Sequence, residues 1–510
     1  MKPLRDLLKH SSVYMIGQIL SRMASVLLLP FYTHMLSPSD YGVVSILDLT
    51  LAIPAMILAG GMASAITRHH FDDSDAAHQD KVWWTGLSMV SAVCTVICIV
   101  MLIGRQTLAD VTLGPEIAHG AWFYTLTIAT LWFTVIGVIL DSYLRVMKWS
   151  GIFVVVSMGR LLYNIGINVW LLLGLNMGVE GLVIGNLSAT VLQTLALLVI
   201  FLKTRGRFAI ERQIGGEMLK FAAPLVLAAL GGTIMHEGDR YFLRLWVNMD
   251  EVGIYSLAHK IGFAVHSLCL LPFLSIWHVA IYDIERLPDA RQVFGKMFLW
   301  FTAGLGILLL GASLTVHPVL PWLTPDAYGP GIEMVSVILL GFFLFALSFM
   351  FEVPALLTKR TRLMVPAAVA GPLVNIAANC ALIPFLGAWG AAWAGVITYL
   401  IYSAVVLWKC RRAQKIPYPW FRSVATAVAL CLTYLVVRFA AFPAMGPLMQ
   451  LCVSVVVCAG WAAALFGKEG LDVALELIHE RRLKRLAAVP ELEDHASAEQ
   501  QHECPLVASQ

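Results

Sequence analysis

The stretch NIGINVWLLLGLNMGVEG at residues 164–181 has a counterpart, NIAANCALIPFLGAWG, at residues 375–390. Asn164 and Asn168 of the first stretch match Asn375 and Asn379 of the second at an offset of 211 residues, and Gly178 and Gly181 match Gly387 and Gly390 after a slip of two residues. The same offset of 211 relates other pairs of residues in the two halves: Lys9 and Lys220, Gly42 and Gly253, Ser45 and Ser256, Lys148 and Lys359, and the acidic Asp141 and Glu352. Matches at one spacing over nearly half the chain indicate a duplication.

The composition is that of a chain that crosses a membrane many times. Hydrophobic residues make up 59% of the 510 residues, charged residues only 13%, and the mean hydropathy is +0.79. About 20 apolar residues in a helix span the hydrocarbon core of a bilayer. Fourteen such stretches are predicted, near residues 12–33, 42–66, 82–103, 118–140, 151–173, 179–202, 218–238, 253–278, 295–316, 333–352, 364–385, 389–408, 421–440 and 447–467. We therefore expect an all-α polytopic membrane protein with about 14 transmembrane helices.

The repeat arranges these helices into two six-helix units followed by two extra helices. Because six crossings are an even number, both units enter the membrane in the same orientation, and we expect parallel repeats related by an axis along the membrane normal. The predicted units are an N-terminal bundle at residues 1–210, a C-terminal bundle at 211–415, two additional helices at 416–467, and a cytoplasmic segment at 468–510. That last segment is predicted to be amphipathic or basic at first and to end in a polar tail.

Lysine and arginine are concentrated in loops that share one side of the membrane if the N-terminus is cytoplasmic. Two clusters follow the sixth and twelfth predicted spans: Lys203, Arg205, Arg207 and Arg212, and then Lys409, Arg411, Arg412 and Lys415. This pattern predicts a multi-pass protein with both termini in the cytoplasm. The net charge of +3 reflects this topology and does not indicate a nucleic-acid partner.

The sequence argues against an enzyme. The loops between predicted spans are too short to hold a nucleotide-binding domain, and no GxxxxGK[ST] phosphate-binding motif occurs. The nine cysteines show no metal-ligand spacing. We expect no catalytic residue, no metal ion and no cofactor. Duplicated membrane proteins are usually transporters whose substrate site lies between the halves.

Cationic residues in or beside the predicted spans are the first candidates for a substrate site, because a charge near the bilayer centre costs about 3 kcal/mol or more. Arg22, Arg160 and Lys260 lie inside the first, fifth and eighth spans, and Arg240 follows the seventh. We predict that these four residues bind substrate. For Arg160, the alternative is a structural hydrogen bond to Asn164, one helical turn away.

Three acidic residues and a histidine form a second set of candidates. Asp48 lies in the second span, Glu237 and Asp239 close the seventh, and His266 lies deep in the eighth. We predict that these residues couple transport to an ion or act as a gate. The alternative for Glu237 is a structural ion pair with Arg240, three residues later on the same helix face.

Two features that the halves share are predicted to be structural. Asp141 and Glu352 each precede a lysine by seven residues, which places acid and base on one side of a helix and predicts a paired latch. The repeated asparagine pairs are more typical of hydrogen bonds between neighbouring helices than of substrate contacts. Residues that break the repeat are the better candidates for substrate binding, since Asp239, Lys260 and His266 align with Leu28, Leu49 and Ala55.

A series of short motifs extends from about residue 5 to residue 410. They are LKHSS at 8–12, FYT at 31–33, LSPSDYG at 36–42, GDRYFL at 238–243, VGIYS at 252–256, NIAAN at 375–379 and IPFLGAWGAA at 383–392. In this order and spacing they resemble the polysaccharide transporters of the multidrug, oligosaccharidyl-lipid and polysaccharide exporter superfamily. Within that superfamily the chain resembles the Wzx-type flippases of O-antigen and exopolysaccharide assembly.

The resemblance implies a substrate of undecaprenyl-pyrophosphate that carries an oligosaccharide. The substrate would be turned over from the cytoplasmic to the periplasmic leaflet of the bacterial inner membrane by alternating access, with H+ or Na+ as coupling ion. The expected partners are membrane lipids, a polysaccharide polymerase and a chain-length regulator. Three alternatives stay open: a murein-precursor flippase, a cation or drug antiporter of the same superfamily, and a non-transport scaffold subunit of a polysaccharide synthesis complex.

Overall fold

The computed structural model describes residues 28–205 and 207–467. Most of the first predicted span, with Lys9 and Arg22, lies outside the described residues, as does the predicted cytoplasmic segment at 468–510. The described chain is helical and contains no strand. Its helices are α1 Leu29–Met35, α2 Pro38–His70, α3 Ala76–Ile103, α4 Arg105–Thr112, α5 Gly120–Val146, α6 Ser150–Gly174, α7 Gly178–Thr204, α8 Arg212–Glu237, α9 Asp239–Trp246, α10 Met249–Glu285, α11 Ala290–Leu323, α12 Asp326–Leu357, α13 Thr361–Leu386, α14 Ala388–Cys410, α15 Trp420–Ala444 and α16 Pro447–Gly467.

Thirteen of these helices, all except α1, α4 and α9, are long and apolar enough to cross a membrane. They coincide one by one with the second to the fourteenth predicted spans, so the predicted fold class is confirmed. In α5, α11 and α12, 61% of the most apolar window is buried inside the protein, whereas the corresponding share in α6 and α16 is 6%. The first three therefore form the interior of the bundle, and α6 and α16 lie at its periphery.

The duplication is visible in the backbone conformation. Lys148 and Lys359, which are equivalent in the repeat, both have left-handed backbone angles, with φ values of 58° and 56°. The equivalent glycines Gly178 and Gly387 both have a φ of 56°. Gly178 begins α7, and Gly387 directly precedes α14. A left-handed φ is uncommon in a residue other than glycine. Its recurrence at two equivalent lysines shows that the two halves share their local turn geometry as well as their hydropathy.

The predicted latch between acid and lysine is wrong. No ion pair within 4 Å joins Asp141 to Lys148, or Glu352 to Lys359, in the part of the chain that the structure describes. Both lysines lie in the turns that end their helices, so the helical face that would bring acid and base together does not continue to them. The carboxylate of Asp141 instead accepts a hydrogen bond from Gln193 at 3.4 Å.

The two halves meet where α2 and α10 begin. Ser37 caps α2 by accepting a hydrogen bond from the backbone N–H of Asp40, and Asn248 caps α10 through the N–H of Glu251. One turn into each helix lies a glycine, Gly42 in α2 and Gly253 in α10. These caps fix the residue at which each of the two helices begins.

Gly42 and Gly253, which are equivalent in the repeat, face each other where α2 crosses α10. A methyl group on Gly42 would overlap the carbonyl oxygen of Met249, and one on Gly253 would overlap the carbonyl oxygen of Pro38. Each glycine thus lies against the backbone of the opposite half, as a two-fold axis between the halves requires. The division of the chain into bundles at residues 210, 415 and 467 stays a prediction.

The two extra helices attach to the second half of the chain. Leu430, Val437 and Phe442 of α15 pack against Ile307, Leu310 and Leu314 of α11, and α16 contributes Val453, Val457 and Trp461 to the same apolar cluster. This cluster is separate from the main core. The extra helices therefore lie outside the contact between the repeats.

The close crossing of α2 and α10 predicts that Gly253→Ala destabilises the protein. The added methyl group meets backbone atoms, which cannot move aside as a side chain can, and overpacking of this kind costs about 1–3 kcal/mol. We expect a melting temperature several degrees below that of the wild type in detergent.

Gly395→Ala in α14 is the matched control, because a Cβ at that position has no neighbour within 4 Å. Alanine is the better helix former by about 1 kcal/mol, so the control should be neutral or slightly stabilising. Equal melting temperatures for the two variants would contradict the crossing.

Candidate functional site

A cavity of about 630 Å³ lies between the two halves. Helices α1, α2, α5, α6 and α7 line it from the N-terminal half, and α8, α9 and α10 from the C-terminal half. Four of the predicted site residues line this one cavity: Asp48, Glu237, Arg240 and Lys260. The structure thus brings together two predicted substrate-binding cations and two predicted coupling carboxylates.

Arg240 is held by three side chains. Its guanidinium forms an ion pair with Glu237, and it donates hydrogen bonds to the hydroxyl of Ser256 at 3.0 Å and to Nδ1 of His259 at 3.4 Å. The residue is buried, with 8% of its surface exposed. The ion pair with Arg240, which was the alternative to a coupling or gating role for Glu237, is present. It joins the end of α8 to the start of α9 and supplies the charge that a buried guanidinium needs.

Lys260 is the second cation of the cavity, and it faces the N-terminal half from α10. Its ammonium lies 5.8 Å from the centre of the Tyr41 ring. Electrostatic interactions join Lys260 to Asp48, and Asp48 in turn to Arg240. Arg240 therefore has an ion-pair partner in Glu237, whereas Asp48 attracts Lys260 from beyond 4 Å across the contact between the two halves.

Neutral polar groups cover another part of the cavity wall. Asn168 donates hydrogen bonds to the hydroxyl of Tyr32 and to the amide oxygen of Asn164, both at 3.1 Å. Both asparagines line the cavity, and Asn186 lies beside them on α7. The prediction that these asparagines connect helices describes one of their contacts. They also present amide groups to the cavity.

The second asparagine pair belongs to a buried cluster that we call the Asp239 hub, formed by Asp239, Tyr255, Asn375 and Asn379. Tyr255 donates to Oδ2 of Asp239 at 2.6 Å, and the amides of Asn375 and Asn379 donate to Oδ1 at 3.1 and 2.7 Å. Asn379 also donates to Oδ1 of Asn375 at 3.0 Å. Asp239 is 3% exposed, and both asparagines are fully buried. Asp239 is thus not part of the cavity wall.

The hub contains a carboxyl group that has no cationic partner. No cationic side chain lies within 4 Å of the Asp239 carboxylate in residues 28–205 and 207–467. The neighbouring Arg240 turns towards Glu237 and the cavity. Oδ1 of Asn379 is buried without a hydrogen-bond partner. Three donors satisfy the hydrogen-bonding capacity of the carboxylate, but they do not neutralise it.

The remaining predicted site residues lie elsewhere. Arg160 does not line the cavity, and the predicted alternative bond to Asn164 is also absent, since Arg160 donates to Thr190 of α7 at 3.3 Å. His266 is buried and its ring stacks on that of Phe342, with ring centres 4.7 Å apart. Arg22 lies outside the described residues.

Three contacts of the site were missed at the sequence level. Ser256, His259 and Tyr255 hold Arg240 and Asp239, but none of them carries a charge that hydropathy would flag. Two signals were available. Tyr255 and Ser256 belong to the VGIYS motif, and His259 adjoins Lys260 in sequence.

The repeat is broken at the hub. Asp239 aligns with Leu28, and the asparagine pair of the first half bonds instead to the neutral hydroxyl of Tyr32, one turn after Leu28. The two halves therefore use the same asparagines to hold a hydroxyl in one case and a carboxylate in the other. At this position the second half has a carboxyl group and the first half has a leucine.

Comparison with known proteins gives one family. A family model described as polysaccharide biosynthesis protein matches residues 7–276, slightly more than half of the 510 residues. No curated protein sequence matches the chain. The family resemblance inferred from the short motifs is confirmed.

Solved structures show the fold of this chain. A lipid II flippase MurJ in an inward closed conformation superposes with a TM-score of 0.74 at 13% identity, covering 90% of this chain and 99% of the other. Two structures of a multidrug resistance MATE family transporter of the MOP superfamily are also similar. The inward-facing one has a TM-score of 0.56 at 16% identity and covers 78% of this chain and 95% of the other. The outward-facing one has a TM-score of 0.55 at 16% identity and covers 81% and 97%.

The all-helical bundle, the cavity between its halves and the family match lead to one assignment. The chain belongs to the polysaccharide biosynthesis protein family and has the fold of transporters of the MOP superfamily.

Proposed function

We propose that the protein is a flippase of the bacterial inner membrane. Its substrate is an oligosaccharide linked to undecaprenyl-pyrophosphate, which it moves from the cytoplasmic to the periplasmic leaflet for O-antigen or exopolysaccharide assembly. The observation that carries this proposal is the cavity between the halves, with Lys260 and Arg240 in its wall. A pyrophosphate needs cationic donors in a site of low dielectric constant, where charge-assisted hydrogen bonds are strong.

The pairing of the cations suggests how an anion is bound and released. Asp48 and Glu237 balance Lys260 and Arg240 when the cavity holds no substrate. The negative charge of a pyrophosphate competes with these carboxylates for the same two cations. Because an unpaired buried charge costs several kcal/mol, the cations always retain one partner or the other. This exchange keeps the cavity accessible to an anion without leaving a bare charge in the membrane.

The neutral part of the cavity wall suits a glycan. Asn164, Asn168 and Asn186 present amides, and Tyr32 a hydroxyl, on the side of the N-terminal half. Hydrogen-bonding groups at a few positions in an otherwise apolar pocket are typical of small-molecule sites. The pyrophosphate would lie towards α9 and α10, and the first sugars towards α6 and α7.

Contacts at one end of the bundle support alternating access. Besides the α2–α10 crossing, the Tyr328 hydroxyl donates to the carbonyl oxygen of Leu36 at 3.0 Å, and Arg244 pairs with Glu116 at 2.5 Å. Both contacts join the two halves. In the orientation predicted from the loop charges this end is periplasmic. We infer that these contacts close the cavity towards the periplasm. The halves also meet on the cytoplasmic side, where Lys81 pairs with Glu211 at 3.0 Å and Arg68 lies over the Phe221 ring, and in this proposal these contacts must separate to admit substrate.

The Asp239 hub is the proposed site of the coupling ion, either Na+ or H+. Its carboxylate is buried without a cationic partner, so binding of a monovalent cation removes an unfavourable charge. If the amide of Asn379 turns over, its partnerless Oδ1 replaces Nδ2 beside Asp239. Carboxylate, amide and hydroxyl oxygens are ligands that hard cations prefer. Glu237 and Asp48 are assigned to the cavity instead, and the ring of His266 packs against those of Phe342 and Phe345.

A murein-precursor flippase is the second candidate. The similarity to MurJ concerns the fold, and both substrates are polyprenyl-pyrophosphates with sugars attached, so the cavity chemistry suits either. A cation or drug antiporter is less well supported, because the cavity contains as many cations as carboxylates. A scaffold subunit needs no such cavity. A polysaccharide polymerase and a chain-length regulator remain the proposed partners.

Removal of the Lys260 charge tests the cavity. We expect Lys260→Ala to reduce polysaccharide export at least about tenfold, because a charge-assisted hydrogen bond contributes about 1.5–3 kcal/mol and tenfold corresponds to 1.4 kcal/mol. The double variant Asp48→Ala/Lys260→Ala should be at least as abundant as the single one, since it leaves no unpaired carboxylate, and should still fail to export.

Lys409→Ala is the control for this experiment. Lys409 lies at the end of α14 over the ring of Trp408, 4.1 Å from its centre, and is not part of the cavity wall. Its export should equal that of the wild type. Normal export by Lys260→Ala at wild-type protein level would exclude the cationic cavity as the substrate site.

Asp239→Asn tests the coupling ion. We expect lipid-linked glycan transport into proteoliposomes to respond to an imposed Na+ gradient or to an imposed proton gradient in the wild type. The variant, which lacks the buried charge, should respond to neither. The control is Asp283→Asn, an exposed carboxylate near the end of α10. An unchanged gradient response in Asp239→Asn would show that coupling occurs elsewhere.

A further inference from the structure

Two consecutive residues of α9 are bonded to two consecutive residues of α10. Asp239 accepts a hydrogen bond from Tyr255, and Arg240 donates one to Ser256, at 2.6 and 3.0 Å. We call these two bonds the α9–α10 clasp. One bond belongs to the Asp239 hub and the other to the wall of the cavity. The clasp is therefore a direct connection between the two sites.

We propose that Tyr255 is a positioning residue that transmits cation binding at Asp239 to Arg240 in the substrate cavity. The proposal rests on the function proposed above and specifies how its two sites communicate. Tyr255 touches neither the cavity nor a substrate group, since it does not line the cavity and is 2% exposed. It acts through Asp239 and through the short helix that carries both residues.

Asp239 is shared between two helices. Its Oδ1 accepts from Asn375 and Asn379 on α13, and its Oδ2 accepts from Tyr255 on α10. A cation at the hub competes with these donors for the carboxylate oxygens. The position of α9 relative to α10 thus depends on whether the hydrogen bond from Tyr255 to Oδ2 of Asp239 is kept.

Arg240 must follow Asp239, because consecutive residues of a helix move as one rigid unit. Their side chains project about 100° apart around the helix axis, which directs one into the hub and the other to the cavity wall. A shift of α9 that begins at Asp239 therefore changes the contacts of Arg240 with Glu237 and Ser256. These are the contacts with which an anionic substrate competes.

The equivalent residues of the N-terminal half cannot form a clasp of this kind. The residues equivalent to Asp239 and Arg240 are Leu28 and Leu29, and Tyr255 aligns with Val44. Leucine and valine cannot form the two polar bonds of the clasp. Only Ser256 retains its counterpart, Ser45. Communication between ion and substrate sites is thus a property of the second half.

The test measures how strongly one ligand changes the affinity of the other. Full-length protein in nanodiscs is titrated with farnesyl pyrophosphate without cation and at saturating Na+, and again at low and high pH. The coupling factor is the ratio of the dissociation constant without cation to that at saturating Na+, or the corresponding ratio between high and low pH. For linked sites such a factor is typically about 5 to 150. By reciprocity, Na+ affinity with and without the lipid gives the same factor.

Tyr255→Phe keeps the ring in place and removes the hydroxyl that holds Asp239. We expect the affinity for farnesyl pyrophosphate without cation to stay within about threefold of the wild type, because Tyr255 does not line the cavity, while the coupling factor falls towards 1. Ser256→Ala, which cuts the clasp on the Arg240 side, should lower the coupling factor in the same way. The matched control is Tyr434→Phe, whose hydroxyl contacts His317 at the junction of α11 and α15 and is not in the cavity.

The outcomes separate the two proposals. If the wild type binds farnesyl pyrophosphate with an affinity that depends on neither Na+ nor pH, the proposed ion coupling is wrong. The proposed role of the clasp is then wrong as well. If the wild type is coupled and both clasp variants keep its coupling factor, only the role of Tyr255 is wrong. Tyr255→Phe could also lose both affinities together with melting temperature. In that case Tyr255 supports the fold alone, and the inference is overturned.

Discussion

Charge balance inside an apolar bundle is the constraint on which the site depends. Only 13% of the residues are charged, and a charge inside the membrane is costly unless another charge or several hydrogen-bond donors meet it. Arg240 forms an ion pair with Glu237, and Asp48 attracts Lys260 from beyond 4 Å across the interface between the halves. Asp239 is the exception, since three neutral donors surround it. The proposed functions follow from this difference: balanced pairs can exchange a partner for an anionic substrate, and an unbalanced carboxylate can take up a cation.

The two halves share an architecture, and Asp239 differs from its equivalent residue within it. The equivalent glycines at the α2–α10 crossing and the equivalent left-handed turns at Lys148 and Lys359 show that the halves retain a common architecture. Their asparagine pairs also retain a common contact between α6 or α13 and a neighbouring helix. Against this background the difference between Leu28 and Asp239 is specific. One half has an apolar side chain and the other a carboxyl group at equivalent positions of similar helices.

The spans were predictable because twenty apolar residues in succession have few other structures available. The charged lining of the cavity was predictable for a related reason, since Asp48, Glu237, Arg240 and Lys260 are conspicuous in an apolar chain. The direction in which each side chain points from its helix was not predictable. Asp239 and Arg240 are adjacent in sequence but lie in different sites, and Arg160 contacts Thr190 at the periphery. The prediction that Lys148 and Lys359 pair with acidic residues was wrong, because hydropathy does not reveal the left-handed turns that end both helices.

The central claim is that this protein moves a lipid-linked glycan across the membrane. The most direct measurement is the leaflet distribution of undecaprenyl-pyrophosphate-linked oligosaccharide in cells that lack the protein, determined by the access of an added glycan-modifying enzyme to each side. A flippase predicts that the completed lipid-linked oligosaccharide accumulates on the cytoplasmic leaflet and that the wild-type protein restores its appearance on the periplasmic leaflet. An unchanged distribution, or loss of oligosaccharide synthesis itself, would contradict a role in transport.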